Sequence, residues 1–186
     1  VEGSARGPGY GLHNDDDGPA PGAHPALSGL LGHWRGSTIL AAGPWGPERT
    51  MDAEVSYSPM AGGIGVVQSY RHVEADGTHF EGHGIFTVDP DHNDVLWYYV
   101  DSTGVPPAAA VRCTWHDGVI RLERPSSAGW TRHAISVEAG VLQHISELRA
   151  TREAAREGVP DAKAPVTRNG KGTSYRPFMR SVFHRV

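Results

Sequence analysis

DGTHFEGHGIFTVDPDHNDVLWYYVDSTG, residues 76–104, is a stretch that reads in twos. It divides into a strand over 78–88, a polar turn over 89–94 carrying Pro90 and Asn93, and a second strand over 95–102. Pleating sends alternate side chains to opposite faces. Phe80, Gly82, Gly84 and Phe86 therefore share one face of the first strand, against His79, Glu81, His83 and Ile85 on the other. In the second strand Trp97, Tyr99 and Asp101 oppose Leu96, Tyr98 and Val100. Neither strand has a plainly solvated face, which sets the hairpin in the middle of a sheet that curls around something. Parity alone leaves open which face turns inward.

Outward from this hairpin the same rhythm continues. Strands are expected over 34–41, 51–57, 65–73, 109–115, 119–123, 130–137, 141–149 and 178–185. The breaks carry turn chemistry: Ala75-Asp76-Gly77, His116-Asp117-Gly118 and Glu138-Ala139-Gly140 each place Gly where a positive φ is wanted. Ten strands joined mostly by tight turns describe an all-β, antiparallel, up-and-down meander. Closing it into a barrel removes the edges it would otherwise expose, and the regular hairpin spacing favours that barrel over a sandwich. Before the first strand, 25–32 (PALSGLLG) reads as a short helix or turn whose Leu27, Leu30 and Leu31 plug one end.

Two segments stand apart. Residues 1–24, rich in Gly and Pro with Asp15, Asp16 and Asp17 in a row, bury too little apolar surface to offset their ordering entropy and read as a disordered tail. Residues 150–176 begin with helical propensity and then turn Pro-, Gly- and Lys-rich. An insertion of that length is either a mobile surface loop or a cover over the barrel mouth.

With 186 residues, 38% of them hydrophobic, the chain suits one domain, the barrel of 25–186. Its formal charge of −4 and the lack of a basic run argue against nucleic acid as a partner, because phosphates need concentrated Lys and Arg. The lone Cys113 forms no internal disulfide and fits a reducing compartment. No apolar run reaches membrane-spanning length, and no basic segment followed by an apolar one marks a signal peptide. The expectation is a cytoplasmic monomer or homodimer with a small-molecule partner and no membrane contact.

The string Leu30-Leu31-Gly32-His33-Trp34-Arg35-Gly36 resembles the Gly-x-Trp-x-Gly opening of lipocalin-like (calycin) barrels, closest to nitrobindins and a related group of uncharacterised bacterial barrel domains. The central hairpin and the closing Phe-Met-Arg-Ser-Val-Phe-His-Arg strand are similar in place and flavour, so the likeness covers 27–186 apart from the insertion. It implies a single barrel of about ten antiparallel strands, with the Trp closing the floor and the flanking glycines letting backbone pass close beneath it. It also implies haem, which nitrobindins hold through a His on the last strand. That position falls near Phe178, which offers iron no donor, and the only His of the strand is His184 near its end. Haem is therefore disfavoured, and no cofactor is expected.

Eleven histidines invite a metal reading, above all His79-x-Glu81-x-His83. On a strand, however, positions i and i+4 lie about 13 Å apart, too far to share one ion. His83 beside Glu81 is either a carboxylate–imidazole pair that moves protons or an exterior polar pair between strands. Asp101, in line with Trp97 and Tyr99, needs a partner if that face is inward. Arg132 and Glu147 are the complementary candidates; they flank the Glu138–Gly140 turn on successive strands, within one register step of each other. They form either a register-fixing ion pair or an anchor for the polar end of a ligand. His133, His144 and Tyr70 are further candidates for the cavity lining. Ser126-Ser127 lacks a nucleophile elbow, Gly62-Gly63-Ile64-Gly65 lacks the rest of a phosphate loop, and Cys113 reads as a small core residue.

The leading reading is a barrel that binds a small, largely apolar molecule with one polar end. Tyr70, Phe86, Trp97 and Tyr99 would supply contact area, with Arg132, Glu147 and Asp101 orienting the polar end. The alternative is an enzyme, a cyclase or isomerase of secondary metabolism, in which aromatic walls fold the substrate and His83 or Asp101 moves protons.

Overall fold

The computed structural model describes residues 24–89, 91–92, 94–105, 109–150 and 174–186. The expected tail and insertion therefore lie almost wholly outside the described residues. After a single helical turn, α1 (Pro25–Ser28), come ten strands. These are β1 (Gly32–Leu40), β2 (Arg49–Met60), β3 (Gly65–Val73), β4 (His79–Asp89), β5 (Asp94–Asp101), β6 (Val111–His116), β7 (Val119–Ser126), β8 (Gly129–Glu138), β9 (Val141–Ala150) and β10 (Arg176–Arg185). Each pairs antiparallel with its neighbour in sequence, and β10 returns to β1 from Trp34↔Arg185 to Leu40↔Met179, closing the barrel. No edge strand of this sheet is left to recruit another chain.

The turns are those the sequence chemistry asks for. Asp117-Gly118 and Ala139-Gly140 are two-residue hairpin loops with φ of 52° and 73°, and 48° and 77°, the doubly positive pattern that suits the twist of the flanking strands. At the β3–β4 connection Asp76 Oδ1 accepts from the Thr78 backbone N–H at 2.9 Å.

One end of the barrel is sealed. Leu27 and Leu30 are buried against Trp34, whose indole N–H donates to the Leu30 carbonyl at 2.7 Å. The Arg185 guanidinium lies 4.2 Å from the Trp34 ring centre and binds the Leu31 carbonyl. Gly36 is required here, since a Cβ would overlap the Val182 carbonyl on β10. Above this floor sits an apolar layer of Val55, Val66, Phe86, Val95, Cys113, Ile120, Ile135, Leu142 and Phe183, all buried.

The central hairpin needs one correction: its outer face is solvated, with His79, Glu81, His83 and Ile85 exposed. Its apolar members cover each other, Ile85 lying opposite Tyr98 in the β4–β5 register with both about 37% exposed. Cross-strand contact of this kind holds apolar side chains on a wet face without a second layer.

Candidate functional site

In an up-and-down barrel the connections alternate between ends. The helix, the tight turns after β2, β4, β6 and β8, and the end of β10 share the floor, so β5 and β9 finish at the opposite mouth. Towards that mouth the interior changes character. Beside the apolar Met51 and Leu148 it holds Thr38, Gln68, Tyr70, His72, Tyr99, Asp101, Arg124, Thr131, His133, His144, Ser146 and Ser181.

On β3, alternation brings Gln68, Tyr70 and His72 inward, and Glu74 continues the file just past the strand end. The Arg49 guanidinium clamps the Glu74 carboxylate through Nε at 2.9 Å and Nη2 at 3.0 Å. His72 Nε2 lies 3.3 Å from Glu74 Oε1, and His72 Nδ1 is 2.9 Å from the Tyr70 hydroxyl. A carboxylate only accepts, so Nε2 carries the proton, Nδ1 accepts from Tyr70, and Tyr70 in turn accepts from Thr38 at 2.9 Å. Thr38 and Ser181 share a further bond at 2.7 Å. Phe80 stacks on the His72 ring at 4.9 Å and 9°. Burial pushes the Tyr70 phenol up to about 12 and lowers the His72 imidazole, while Arg49 holds the Glu74 carboxyl below its ordinary value.

Across the interior, β8 and β9 supply a second network. His133 Nδ1 lies 2.8 Å from Ser146 Oγ and 3.1 Å from His144 Nε2, and His133 Nε2 is 3.1 Å from Thr131 Oγ1. Burial brings His144 down to about 4, helped by the positive charge of Arg124. Burial likewise lowers His133 well below its ordinary value, with His144 and Arg124 adding to the effect. Both rings are neutral near pH 7.

Arg124 stands between these networks. It follows Ile120 and Leu122 on the inward face of β7, and its guanidinium carbon lies 5.2 Å from the Trp97 ring centre and 4.9 Å from that of Tyr99. Its Nε is shut off from solvent and has no hydrogen-bond partner. Asp101, the nearest interior acid on β5, is turned instead into its own turn, accepting from the Thr103 backbone N–H at 3.0 Å and from the Thr103 hydroxyl. The space bounded by Arg124, Trp97, Tyr99, Ala109 and Val111 measures about 10 Å³, room for roughly one water. The hollow expected beside these aromatics is thus largely filled by the barrel's own side chains.

Four of the sequence-predicted residues face inward: Tyr70 and Tyr99 towards the mouth, and Phe86 and Trp97, register partners stacked on each other, where the apolar layer gives way to the polar half. Asp101 shares their parity at the rim. The other three point out of the barrel. His83 is exposed, its Nδ1 at 3.2 Å from Ser69 Oγ. Arg132 and Glu147 are direct register partners joined by an ion pair on the outer wall, with the Tyr175 ring 4.5 Å from the Arg132 guanidinium. They cannot orient anything held inside; they border an outer groove of about 520 Å³ with Arg112, Arg121 and Glu123, in which Arg112 is itself paired to Asp89 and Asp94. Sequence reasoning missed Arg124 and His72. The signal for Arg124 was its place in the Ile120-x-Leu122-x-Arg124 alternation, one residue beyond where the strand was expected to stop.

Haem does not fit the residues present. Phe178 packs on Trp45 at 4.7 Å, and His184 is exposed on the outer wall. The interior imidazoles of His72, His133 and His144 are committed to hydrogen bonds. Among the described residues no group of three or more His, Cys, Asp or Glu is placed to hold a metal ion. Cys113 is buried, and burial pushes its thiol up to about 12, so it is no nucleophile. Among the described residues no helix is long and apolar enough to cross a membrane.

No family model matches the chain, and no curated protein matches it. The fold itself defines the class: a closed ten-stranded antiparallel barrel, compatible with the calycin or lipocalin-like architecture.

Proposed function

We propose that this barrel binds a small, largely apolar molecule with one polar end, taken into its mouth half. The observation that carries the reading is the division of the interior. An apolar layer over a sealed floor already provides a core, yet the other half also buries hydroxyls, imidazoles, a carboxamide and the Nε of a guanidinium. Buried polar groups cost stability unless fully paired, and apolar replacements would usually serve the fold as well or better. Their concentration beside Trp97 and Tyr99 suits recognition. A ligand enters by displacing side chains at the mouth, since the present space holds about one water.

Titration of the protein with dodecanol, dodecanoate, naphthol and naphthoate, followed by tryptophan emission and calorimetry, tests this. Saturable one-to-one binding whose optical signal disappears in Trp97→Phe supports it. Failure of the whole panel to bind counts against it.

A second reading, acid–base catalysis on the bound molecule, is favoured by the hydrogen-bonded file Glu74–His72–Tyr70, which links the rim to the barrel interior. Here Tyr70, and not the outward-facing His83, is the group that exchanges a proton with substrate. Incubation of bound ketones in deuterated water, read by mass spectrometry, reports such exchange. The reading requires Tyr70→Phe to abolish it while affinity persists.

A further inference from the structure

We propose that the polar end recognised by this barrel is a single carboxylate and that Arg124 is the residue that takes it; this rests on the ligand-binding reading above. Arg124 is set apart from the other described arginines by facing inward against Trp97 and Tyr99 with an Nε that has no partner. Several outer-wall arginines also lack an ion pair, but among the described residues none of them has a buried, unpartnered guanidinium nitrogen. Arg49 is paired to Glu74, Arg112 to Asp89 and Asp94, Arg132 to Glu147, and Arg35 and Arg71 to Glu54. Arg124 makes no ion pair among the described residues, although it is the one whose Nε is closed off from water. A guanidinium N–H shut off from solvent without an acceptor is costly, and an anion supplied from outside relieves that cost.

The surroundings narrow the anion. Trp97 and Tyr99 occupy the aromatic side of the guanidinium, so the ligand approaches its hydrogen-bonding edge, where the planar fork matches the two oxygens of a carboxylate. A phosphate monoester would bring close to two negative charges against one arginine. The imidazoles nearest at hand, His133 and His144, are held neutral by their burial and add no charge to meet it. Asp101 lies near enough for its charge to favour the Arg124 guanidinium, but it makes no ion pair with it; Thr103 holds its Oδ1 in the turn, and the fork of Arg124 is left for another acceptor. Val111 and Ala109 complete the walls of the small space beside Arg124 and set an apolar or aromatic body next to the acid group.

The test compares matched pairs, dodecanoate against dodecanol and naphthoate against naphthamide, on the whole chain and on Arg124→Met, Arg124→Lys and Arg132→Gln. The wild type is expected to bind each acid at least about tenfold more tightly than its neutral partner. Arg124→Met should erase that preference while leaving affinity for the neutral compounds within about threefold, and Arg124→Lys should keep only part of it. Arg132→Gln, on the outer wall, should behave as wild type. Binding of acids and neutral compounds alike by the wild type overturns this inference and leaves the ligand-binding reading standing; that comparison needs no variant to fold. Preference retained in a folded Arg124→Met also overturns it. Absence of binding by every compound overturns both.

Discussion

The Tyr99 ring reaches across β4 to lie over Gly82, so close that a Cβ at Gly82 would overlap the Tyr99 hydroxyl. The glycine is therefore what lets Tyr99 sit where it stacks with Arg124. Gly82→Ala must swing the ring aside. Because the collision is with the tip of one side chain, the barrel survives at a cost of about 1–2 kcal/mol, and the acid preference expected of Arg124 weakens with it. Gly36→Ala meets the Val182 carbonyl of β10 instead, a backbone atom that cannot turn away. Thermal unfolding should show Gly36→Ala to be far the more damaging of the two, and equal losses would contradict this account of the interior.

Arg132 and Glu147 provide the contrast. Their side chains are 47% and 25% exposed, and their pairing spans two strands already in register. Exposed pairs contribute little after screening and side-chain entropy, so Arg132→Gln should change stability by less than about 1 kcal/mol. Ligand affinity should not move at all. A loss of binding in this variant would mean that the outer groove, and not the interior, is the site.

Those two residues also show how far a sequence of this kind can be read. Strand positions were legible because turn residues punctuate them: β3 spans Gly65–Val73 as expected, and Asp117-Gly118 and Ala139-Gly140 turn where their chemistry demands. Facing was not legible from parity on β5, although Trp97 and Tyr99, both candidates for the lining, do turn inward. Nor was it legible on β8, where Arg132 and His133 were both candidates; there Trp130 faces solvent while Thr131 and His133 are buried. Polarity there runs opposite to the usual rule, because the interior it serves is itself polar; Arg132, a candidate partner for Asp101, instead takes its other expected role, pairing with Glu147 in register. Arg124 was lost for a different reason. Pro125 follows it, and a proline ends most central strands, yet here the strand runs on through Pro125 to Ser126.

Ala139 occupies the left-handed region at φ 48°. An L-residue with a Cβ is disfavoured there by roughly 1–2 kcal/mol, whereas Gly and Asn adopt it readily. Ala139→Asn, which keeps some backbone restriction in the unfolded chain, should raise stability by about 0.5–1 kcal/mol. The turn lies at the floor end, away from Arg124, so affinities should stay unchanged. A lower unfolding temperature would show that the hairpin departs from this geometry.

The buried imidazoles make stability depend on pH in a definite direction. His144 is brought down to about 4 and His133 and His72 are lowered as well, all chiefly by burial. Above pH 6.5 these rings are neutral in folded and unfolded chains alike and the linkage vanishes. As pH falls below 6.5 the unfolded chain takes up protons that the folded barrel refuses, so the unfolded state gains. Stability should decline between pH 6.5 and about 4 by up to about 1.4 kcal/mol per pH unit for each such histidine. For His144 the loss levels off near pH 4, where the folded ring also protonates. His144→Gln removes one titrating ring while keeping a hydrogen-bonding side chain opposite His133, so the slope of unfolding free energy against pH should become shallower even if stability at pH 8 drops. An unfolding midpoint in urea that stays level from pH 7 to pH 5 would show that these rings are hydrated or charged in the native barrel, and a polar mouth built around neutral histidines could not then be maintained.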